Sequence, residues 1–237
     1  MSRKKIAASR PSQPRGSGGA APGPAAGPAV HIPREHYYEG YDDLQRFISY
    51  HHQAKLAMSL HCRSILELGV GNKTVANYLA QHGFDVGTCD LDGSLEPGAV
   101  ADVRNLPFHD GSYDLVMACE ILEHIPWNDF ERALREIHRV CRTSALVSVP
   151  HVARVFGALY RVPLGGRAIG WAVTRVPLLF ESVRHSGDLY REHEWEMGRR
   201  GSSARQVRNA FRRYFTITRE LRHPLSSYHH FFVLEKP

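Results

Sequence analysis

The chain has 237 residues, 43% hydrophobic and 23% charged, which suits one well-buried core plus appendages. Its formal charge is +6, but five of the 30 basic residues (Arg3, Lys4, Lys5, Arg10 and Arg15) crowd the start, and the remainder is nearly neutral, so no nucleic-acid footprint is required. The four cysteines (Cys62, Cys89, Cys119 and Cys141) are widely spaced with no C-x-x-C pair, which argues against a disulfide scaffold or structural zinc and for free thiols in a reducing cytoplasm.

Residues 1–30 begin basic and continue rich in Pro, Gly, Ala and Ser. Such a segment cannot bury enough apolar surface to offset ordering, so a disordered tail is expected, with no apolar stretch of secretory type. A helix is expected from about Tyr41, its inward stripe formed by Leu44, Phe47, Ile48, His51, His52, Leu56 and Met58. Tyr37, Tyr38 and Tyr41 at its start are candidate ligand contacts, although simple packing is the commoner role for such a cluster. From residue 64 to 149 strand and helix patterns alternate, which predicts a parallel sheet with crossover helices. Strands are expected near 64–68, 84–89, 99–101, 113–118 and 144–149, and helices near 73–82 and 128–140, the latter capped by Asn128-Asp129. Between the second and third strands Asp92–Gly98 is too short and turn-rich for a helix.

Residues 151–201 are apolar but broken by Arg161, Arg167, Arg175, Pro163 and Pro177, which excludes a spanning helix. A lid or cap over a substrate is the preferred reading; a dimer contact or an amphipathic surface over 151–184 touching a membrane are the alternatives. A helix over Ser202–Tyr214 and two strands, Phe215–Leu221 and His230–Leu234, complete the pattern.

Within this order one stretch points to a ligand. The apolar run Ile65, Leu66, Leu68 stops at Gly69-Val70-Gly71, and Val75, Tyr78 and Leu79 follow at helical spacing. A strand, a glycine turn and a helix let backbone N–H groups and a positive helix end approach a bound molecule. Alone, such a turn is weak, and many bind nothing. The next strand, however, ends at Asp90, an acid about 20 residues past the glycines, where dinucleotide-type folds place a partner for ribose hydroxyls. The segments ELGVG, CDLD, ADVRNLPF and YDLVMACEILEHIP, in this order and spacing, resemble class I S-adenosylmethionine-dependent methyltransferases of the small-molecule, type 11-like kind, closely over Ser64–Pro150 and more loosely beyond. The resemblance implies an α/β fold, a Rossmann-like doubly wound and mostly parallel sheet with a C-terminal antiparallel strand plus an inserted cap, over residues 31–237. It implies S-adenosylmethionine as cofactor and S-adenosylhomocysteine as product. It also implies a covering helix on the N-terminal side.

Carried onto this sequence, the resemblance assigns Glu67 to orienting the methionine amino group through the loop, and Gly69 and Gly71 to close approach. Asp90 takes the ribose hydroxyls, Leu91 the adenine face, and Asp102 with Val103 the adenine amino group. Cys119 and Glu120 follow the fourth strand, where Glu120 would close over the methionine end. The plainer readings are a helix-cap partner for Glu67 and a turn acid for Asp102. Lys73 stands where a third glycine is common, and its side chain is expected to point away from a cationic sulfonium.

On the acceptor side, His124 follows the fourth strand and titrates near neutrality, which suits a base. The knot His185–Glu196 (HSGDLYREHEWE) offers His193 as base with Glu194 beside it; the alternatives are a mixed His/Glu metal site, without dedicated spacing, or a solvated loop anchored by Trp195, and no metal is expected. HEWEMGRRG and SSYHHFFVLE are similar to a subgroup of bacterial methyltransferases. The Asp/Asn-Pro-Pro-aromatic turn and the Pro-Cys nucleophile of base methylation are absent, which argues against DNA. The expected activity is therefore methyl transfer to O or N of a small acceptor, lipid-linked or anionic among the choices, in the cytoplasm or peripheral to a membrane. A cofactor-binding pseudoenzyme or interaction module is the runner-up, and an NAD-linked oxidoreductase the third reading, weakened by Thr74 at the third glycine's place.

Overall fold

Uninterrupted apolar runs suit strands covered on both faces, and the centre of this fold is built from them: Ile65 and Leu66 on β1 (Ser64–Leu68) and Leu115 to Ala118 on β4 (Tyr113–Cys119) are fully buried. The computed structural model describes Tyr37, residues 41–152, the backbone of 155–161 and 168–174, and residues 193–223 and 226–237. The expected tail over 1–30, Tyr38, His185 and most of the expected cap over 151–201 lie outside the described residues.

The remaining elements are α1 (Leu44–Met58), α2 (Thr74–Gln81), β2 (Asp85–Asp90), β3 (Ala99–Val100), α3 (Phe130–Val140), β5 (Cys141–Pro150), β6 (Val155–Arg161), β7 (Ala168–Thr174), α4 (Ala204–Arg212), β8 (Thr216–His223) and β9 (Ser226–Glu235). Seven strands form one sheet in the order β3-β2-β1-β4-β5-β9-β8, parallel from β3 to β5, with β9 antiparallel to both its neighbours. This is the doubly wound sheet with a C-terminal antiparallel strand that the sequence resemblance implied. β6 and β7, within the segment read as a cap, pair as a separate antiparallel hairpin. Among the described residues no helix is long and apolar enough to cross a membrane.

Side chains alternate across a strand, and this divides the core in two. Leu66, Leu68, Val116, Ala118, Ala145 and Val147 face α3 and α4, meeting Phe130, Leu134, Ile137, Val207 and Phe211. Ile65, Leu115, Met117 and Leu146 face the other way, onto Ala54, Ala57, Val75 and Leu79 of α1 and α2. Glu67 shares that second face by parity. It is paired in register with Met117, so the sequence carries one acid into an otherwise apolar layer.

Two expectations need correction. The stripe assigned to the inward face of α1 does not face inward as a whole: Leu44 is 73% exposed, Phe47 54% and Met58 42%, while Ser49, Gln53, Ala54, Leu56 and Ala57 are buried. The helix, N-capped by Asp43, instead turns a polar strip inward, where Gln53 donates to the Ser49 hydroxyl at 3.1 Å. Nor do Asn128 and Asp129 cap α3 with a side chain. A 3-10 turn over Trp127–Asp129 leads into it, Asp129 makes no cap bond, and its carboxylate is taken by Arg104 at 2.6 Å. The last helix, expected from Ser202, is capped by its own side chains: Ser203 and Gln206 form a reciprocal capping box on α4.

Candidate functional site

In an open α/β sheet, ligands sit at the carboxyl ends of the strands, where the strand order reverses. Here the first three strands run outward from β1 on one side and β4 lies on the other, so the reversal falls between β1 and β4. The glycine turn follows β1 at that point. Gly69 has φ +74° and Gly71 φ +48°, a region that favours glycine, and a Cβ on Gly69 would meet Ile121 Cγ2 at 2.1 Å. Gly69 N–H donates to the Cys89 carbonyl at 2.9 Å, tying the turn to the tip of β2. Lys73 is also left-handed, and its Nζ reaches away to the Glu96 carbonyl at 2.8 Å, as expected.

Against this turn α1 lays its polar strip. Tyr41, Arg46, Tyr50, Gln53, Glu67, Gly69 to Asn72, Met117 and Cys119 line a cleft that opens to solvent. Tyr50 O–H donates to Asp42 at 2.9 Å, and the Asn72 amide donates to both Asp42 oxygens at 3.0 Å, which fastens the start of α1 over the turn. The Tyr37 ring lies beside Gly71 and meets Tyr41 edge-on, 5.2 Å between centroids. Of the tyrosines singled out in the sequence, 37 and 41 therefore border this cleft.

Glu67 forms its floor. Burial pushes its carboxyl up to about 8; a hydrogen bond from the Ala76 backbone in the first turn of α2 opposes the shift, and the Asp90 charge adds to it. Its Oε2 is buried without a hydrogen-bond partner. The helix-cap role is thus met by one oxygen, and the other is left for something the chain does not supply. Burial also pushes the Cys119 thiol up, so it is a neutral wall of the cleft.

The expected second half of the site lies along the neighbouring strand ends. Asp90 accepts from the Val70 N–H at 2.7 Å and, through its other oxygen, from the Asp92 N–H at 2.9 Å, so it braces the glycine turn. Leu91 is 48% exposed beside it. Asp102 is engaged with Arg104, whose guanidinium donates to both its oxygens and also reaches Asp129 at 2.6 Å; burial works against its charge, but these bonds hold its carboxyl below the usual range. The structure therefore gives Asp102 an ion-pair role, and Val103 packs on the core alongside. Asp90, Leu91, Asp102 and Val103 do not line the cleft described above; Glu67, Gly69, Gly71 and Cys119 do.

Beyond β4 the chain turns through Glu120, left-handed at φ +56°, whose carboxylate accepts from the Ser148 hydroxyl at 2.7 Å. A 3-10 turn over Leu122–His124 follows. Trp195 anchors the HEWE stretch beneath it by donating its indole N–H to the Leu122 carbonyl at 3.1 Å and packing on Trp127 and Phe130. The His124 and His193 rings meet edge-on, 4.9 Å between centroids. His193 Nδ1 lies 3.2 Å from Glu196 Oε1, which also accepts the Tyr228 hydroxyl at 2.8 Å. Burial works against the Glu196 charge, but bonds from His193, Tyr228 and Arg199 hold its carboxyl down at about 2. Glu194, expected beside the base, is exposed and offers its backbone N–H to the Glu123 carbonyl instead; Glu196 has its place. Glu123 is fully buried, and neither of its oxygens has a hydrogen-bond partner. Burial, and then the Glu120 charge, push it well above the usual carboxylate range.

Sequence reading missed Arg46, Gln53 and Asn72 in the cleft and Tyr228 on His193; Glu196 was named within the knot, but not as the group facing His193. The signal for Arg46 and Gln53 was the polar strip of α1 at helical spacing, opposite the expected inward stripe; Asn72 lies in the glycine turn itself. Tyr228 had no local signal, because β9 brings it to His193 from 35 residues away.

Comparison with known proteins agrees with this geometry. Residues 66–149 match the family described as "Methyltransferase domain". A curated relative, ubiquinone biosynthesis O-methyltransferase of Bordetella avium (strain 197N), is 33% identical over 87 residues, which cover 30% of this chain; the chain spans only 36% of that protein. Among solved structures, magnesium protoporphyrin IX methyltransferase from Synechocystis PCC 6803 with bound SAH superposes with a TM-score of 0.56 at 14% identity, covering 86% of this chain and 92% of that one. The Burkholderia thailandensis 1,6-didemethyltoxoflavin-N1-methyltransferase, with its substrate and S-adenosylhomocysteine, gives 0.51 at 16%, covering 85% and 84%. An S-adenosylmethionine-dependent methyltransferase from Mesorhizobium loti gives 0.52 at 18%, covering 83% and all of that chain. These structural likenesses concern the fold.

Proposed function

We propose that this chain, whose residues 66–149 match the methyltransferase-domain family, transfers a methyl group from S-adenosylmethionine to an oxygen or nitrogen of a small acceptor. The observation that carries the reading is the cleft at the β1/β4 reversal, floored by a buried Glu67 with one oxygen unpartnered. The methionine ammonium of the cofactor supplies the missing partner. Gly69 and Gly71 let the chain pass close to the amino-acid end, and Tyr41, just ahead of α1, and Arg46, on it, close over it. Asp90, already holding the glycine turn in place, receives the ribose hydroxyls, and Leu91 and Val103 border the adenine.

Methyl transfer from a sulfonium is an in-line displacement, so proximity, orientation and exclusion of water supply most of the rate. The acceptor approaches over the carboxyl end of β4, beside Cys119 and Glu120. There Glu123, His124 and His193 handle its proton, with Glu196 orienting His193. The segment 151–201 covers the acceptor as a cap, and its apolar character suits a lipid-linked or otherwise partly apolar molecule. Peripheral contact with a membrane through 151–184 belongs to the same reading.

Calorimetric titration with S-adenosylmethionine, S-adenosylhomocysteine and NAD tests it. Binding of both sulfur nucleotides, and not of NAD, is expected. Binding of neither, or of NAD alone, overturns it.

A further inference from the structure

We propose that Glu123, His124 and His193 form a binding site for one divalent cation of the zinc, iron(II) or manganese(II) class. The starting point is Glu123. A fully buried carboxyl with both oxygens unpartnered is an expense of at least about 1–3 kcal/mol, and folded chains leave few of them without a reason. The groups around it are metal donors. One ligand atom from each of Glu123, His124 and His193 lies within 4.8 Å of the others.

His193 is also oriented as a ligand would be. The Glu196 carboxylate faces Nδ1 at 3.2 Å and is itself fixed by the Tyr228 hydroxyl at 2.8 Å and by Arg199. A carboxylate accepts only, so the ring's proton resides on Nδ1, and Nε2 carries the lone pair. That Nε2 stands 4.0 Å from Glu123 Oε1. Donors bound to one ion at about 2.0–2.1 Å in a tetrahedral array lie roughly 3.3–3.4 Å apart. The His193–Glu123 pair at 4.0 Å, and the other pairs within 4.8 Å, therefore draw together by side-chain rotation when the ion enters. A carboxylate holding the second nitrogen of a ligating histidine is the support that metal sites use to fix the tautomer.

The donor set selects the ion. Two imidazoles and one carboxylate suit zinc, iron(II) or manganese(II), whereas magnesium and calcium take oxygen ligands. Glu120 and Glu196 stand near Glu123 on one side of the local charge and Arg46 on the other, with Glu196 itself paired to Arg199. The cluster adjoins the cleft, since Tyr41 lines the cleft and lies within the field of both Glu120 and Glu123. With the ion bound, Glu123, His124 and His193 serve as its ligands and not as free bases, and the ion takes over the proton handling by lowering the acceptor's pKa; that role rests on the methyltransferase reading, and the site itself does not.

The full-length chain, stripped with a chelator, is titrated with Zn²⁺ by calorimetry and with Co²⁺ by visible absorption, which reports ligation directly. The expected result is one ion per chain. His124→Ala and His193→Ala each weaken it at least tenfold, and Glu196→Gln weakens it by about 10- to 100-fold. His52→Ala, in the separate ring cluster of His52 and His223, changes nothing. S-Adenosylhomocysteine affinity serves as the folding control, and the ligand variants keep it. No stoichiometric ion on the parent chain, or undiminished binding in both histidine variants, overturns the site. A chain that binds Zn²⁺ but no sulfur nucleotide keeps the site and removes the proposed function.

Discussion

At the scale of single residues, Glu67 gives the sharpest predictions. Its ordinary value is 4.5 and its folded value about 8, so between those values the folded chain holds a proton that the unfolded chain has lost. The Glu67 contribution to stability is therefore greatest below the lower value and is lost as pH rises across the window, so it is read as the difference between the parent chain and Glu67→Gln. Thermal unfolding of both chains, followed from about pH 5 to 8, should show the parent losing stability relative to the variant. When a cationic amino group arrives beside Glu67, the carboxyl ionises. S-Adenosylhomocysteine binding near pH 6.5, where a free α-amino group of pKa about 7.7–8.0 is already charged, should release about one proton, read as the buffer dependence of the calorimetric heat. Glu67→Gln should abolish the release. Asp90→Ala removes a charged acceptor from the Val70 N–H and from the proposed ribose contact. Each such bond is worth about 1.5–3 kcal/mol, so affinity should fall at least tenfold by titration. Gly69→Ala combines a positive φ with a Cβ driven into Ile121. Strain and overpacking each cost about 1–3 kcal/mol, and both melting temperature and nucleotide binding should drop together. The positions of Glu67 and Asp90 beside the glycine turn were legible in the sequence, because strand ends and glycine spacing fix them, whatever ligand they meet. Asp102 was not, because its salt bridge to Arg104 depends on a side chain two residues away that either solvent or the adenine pocket could have claimed.

At the scale of elements, the strands read cleanly: a run that is apolar on both faces has one place to go, and β1 falls where its pattern put it. The rotation of α1 did not. Its sequence offers two strips, one with Leu44, Phe47 and Met58 and one with Arg46, Ser49 and Gln53, and hydrophobicity alone selects the first. The structure selects the second for the cleft, since polar groups facing a ligand are satisfied there and buried ones pair among themselves. Phe47→Ser should accordingly change unfolding free energy by less than about 0.5 kcal/mol, the usual limit for an exposed position; a loss of several kcal/mol by denaturant melts would return Phe47 to the core. α4 was legible from Ser202 and Ser203 ahead of its apolar set. Ser203→Ala breaks the capping box and should cost about 1 kcal/mol, with nucleotide affinity unchanged.

At the scale of the whole molecule, alternating strand and helix with right-handed crossovers left few topologies, and the mostly parallel sheet closed by an antiparallel C-terminal strand is the one the family resemblance implied. What the pattern could not hold is contact across distance. His193, Glu196 and Tyr228 meet because β9 returns beside β5 and because Trp195 pins the HEWE stretch under the turn after β4. The two halves of the proposed chemistry thus have different origins: the cofactor side follows from one continuous strand–turn–helix, and the acceptor side is assembled from three separated segments. A crystal structure of the chain with S-adenosylhomocysteine tests the central claim most directly. The account predicts the amino-acid end against Glu67 beneath Tyr41 and the ribose on Asp90; a ligand bound elsewhere, with Glu67 Oε2 still unpartnered, would contradict it.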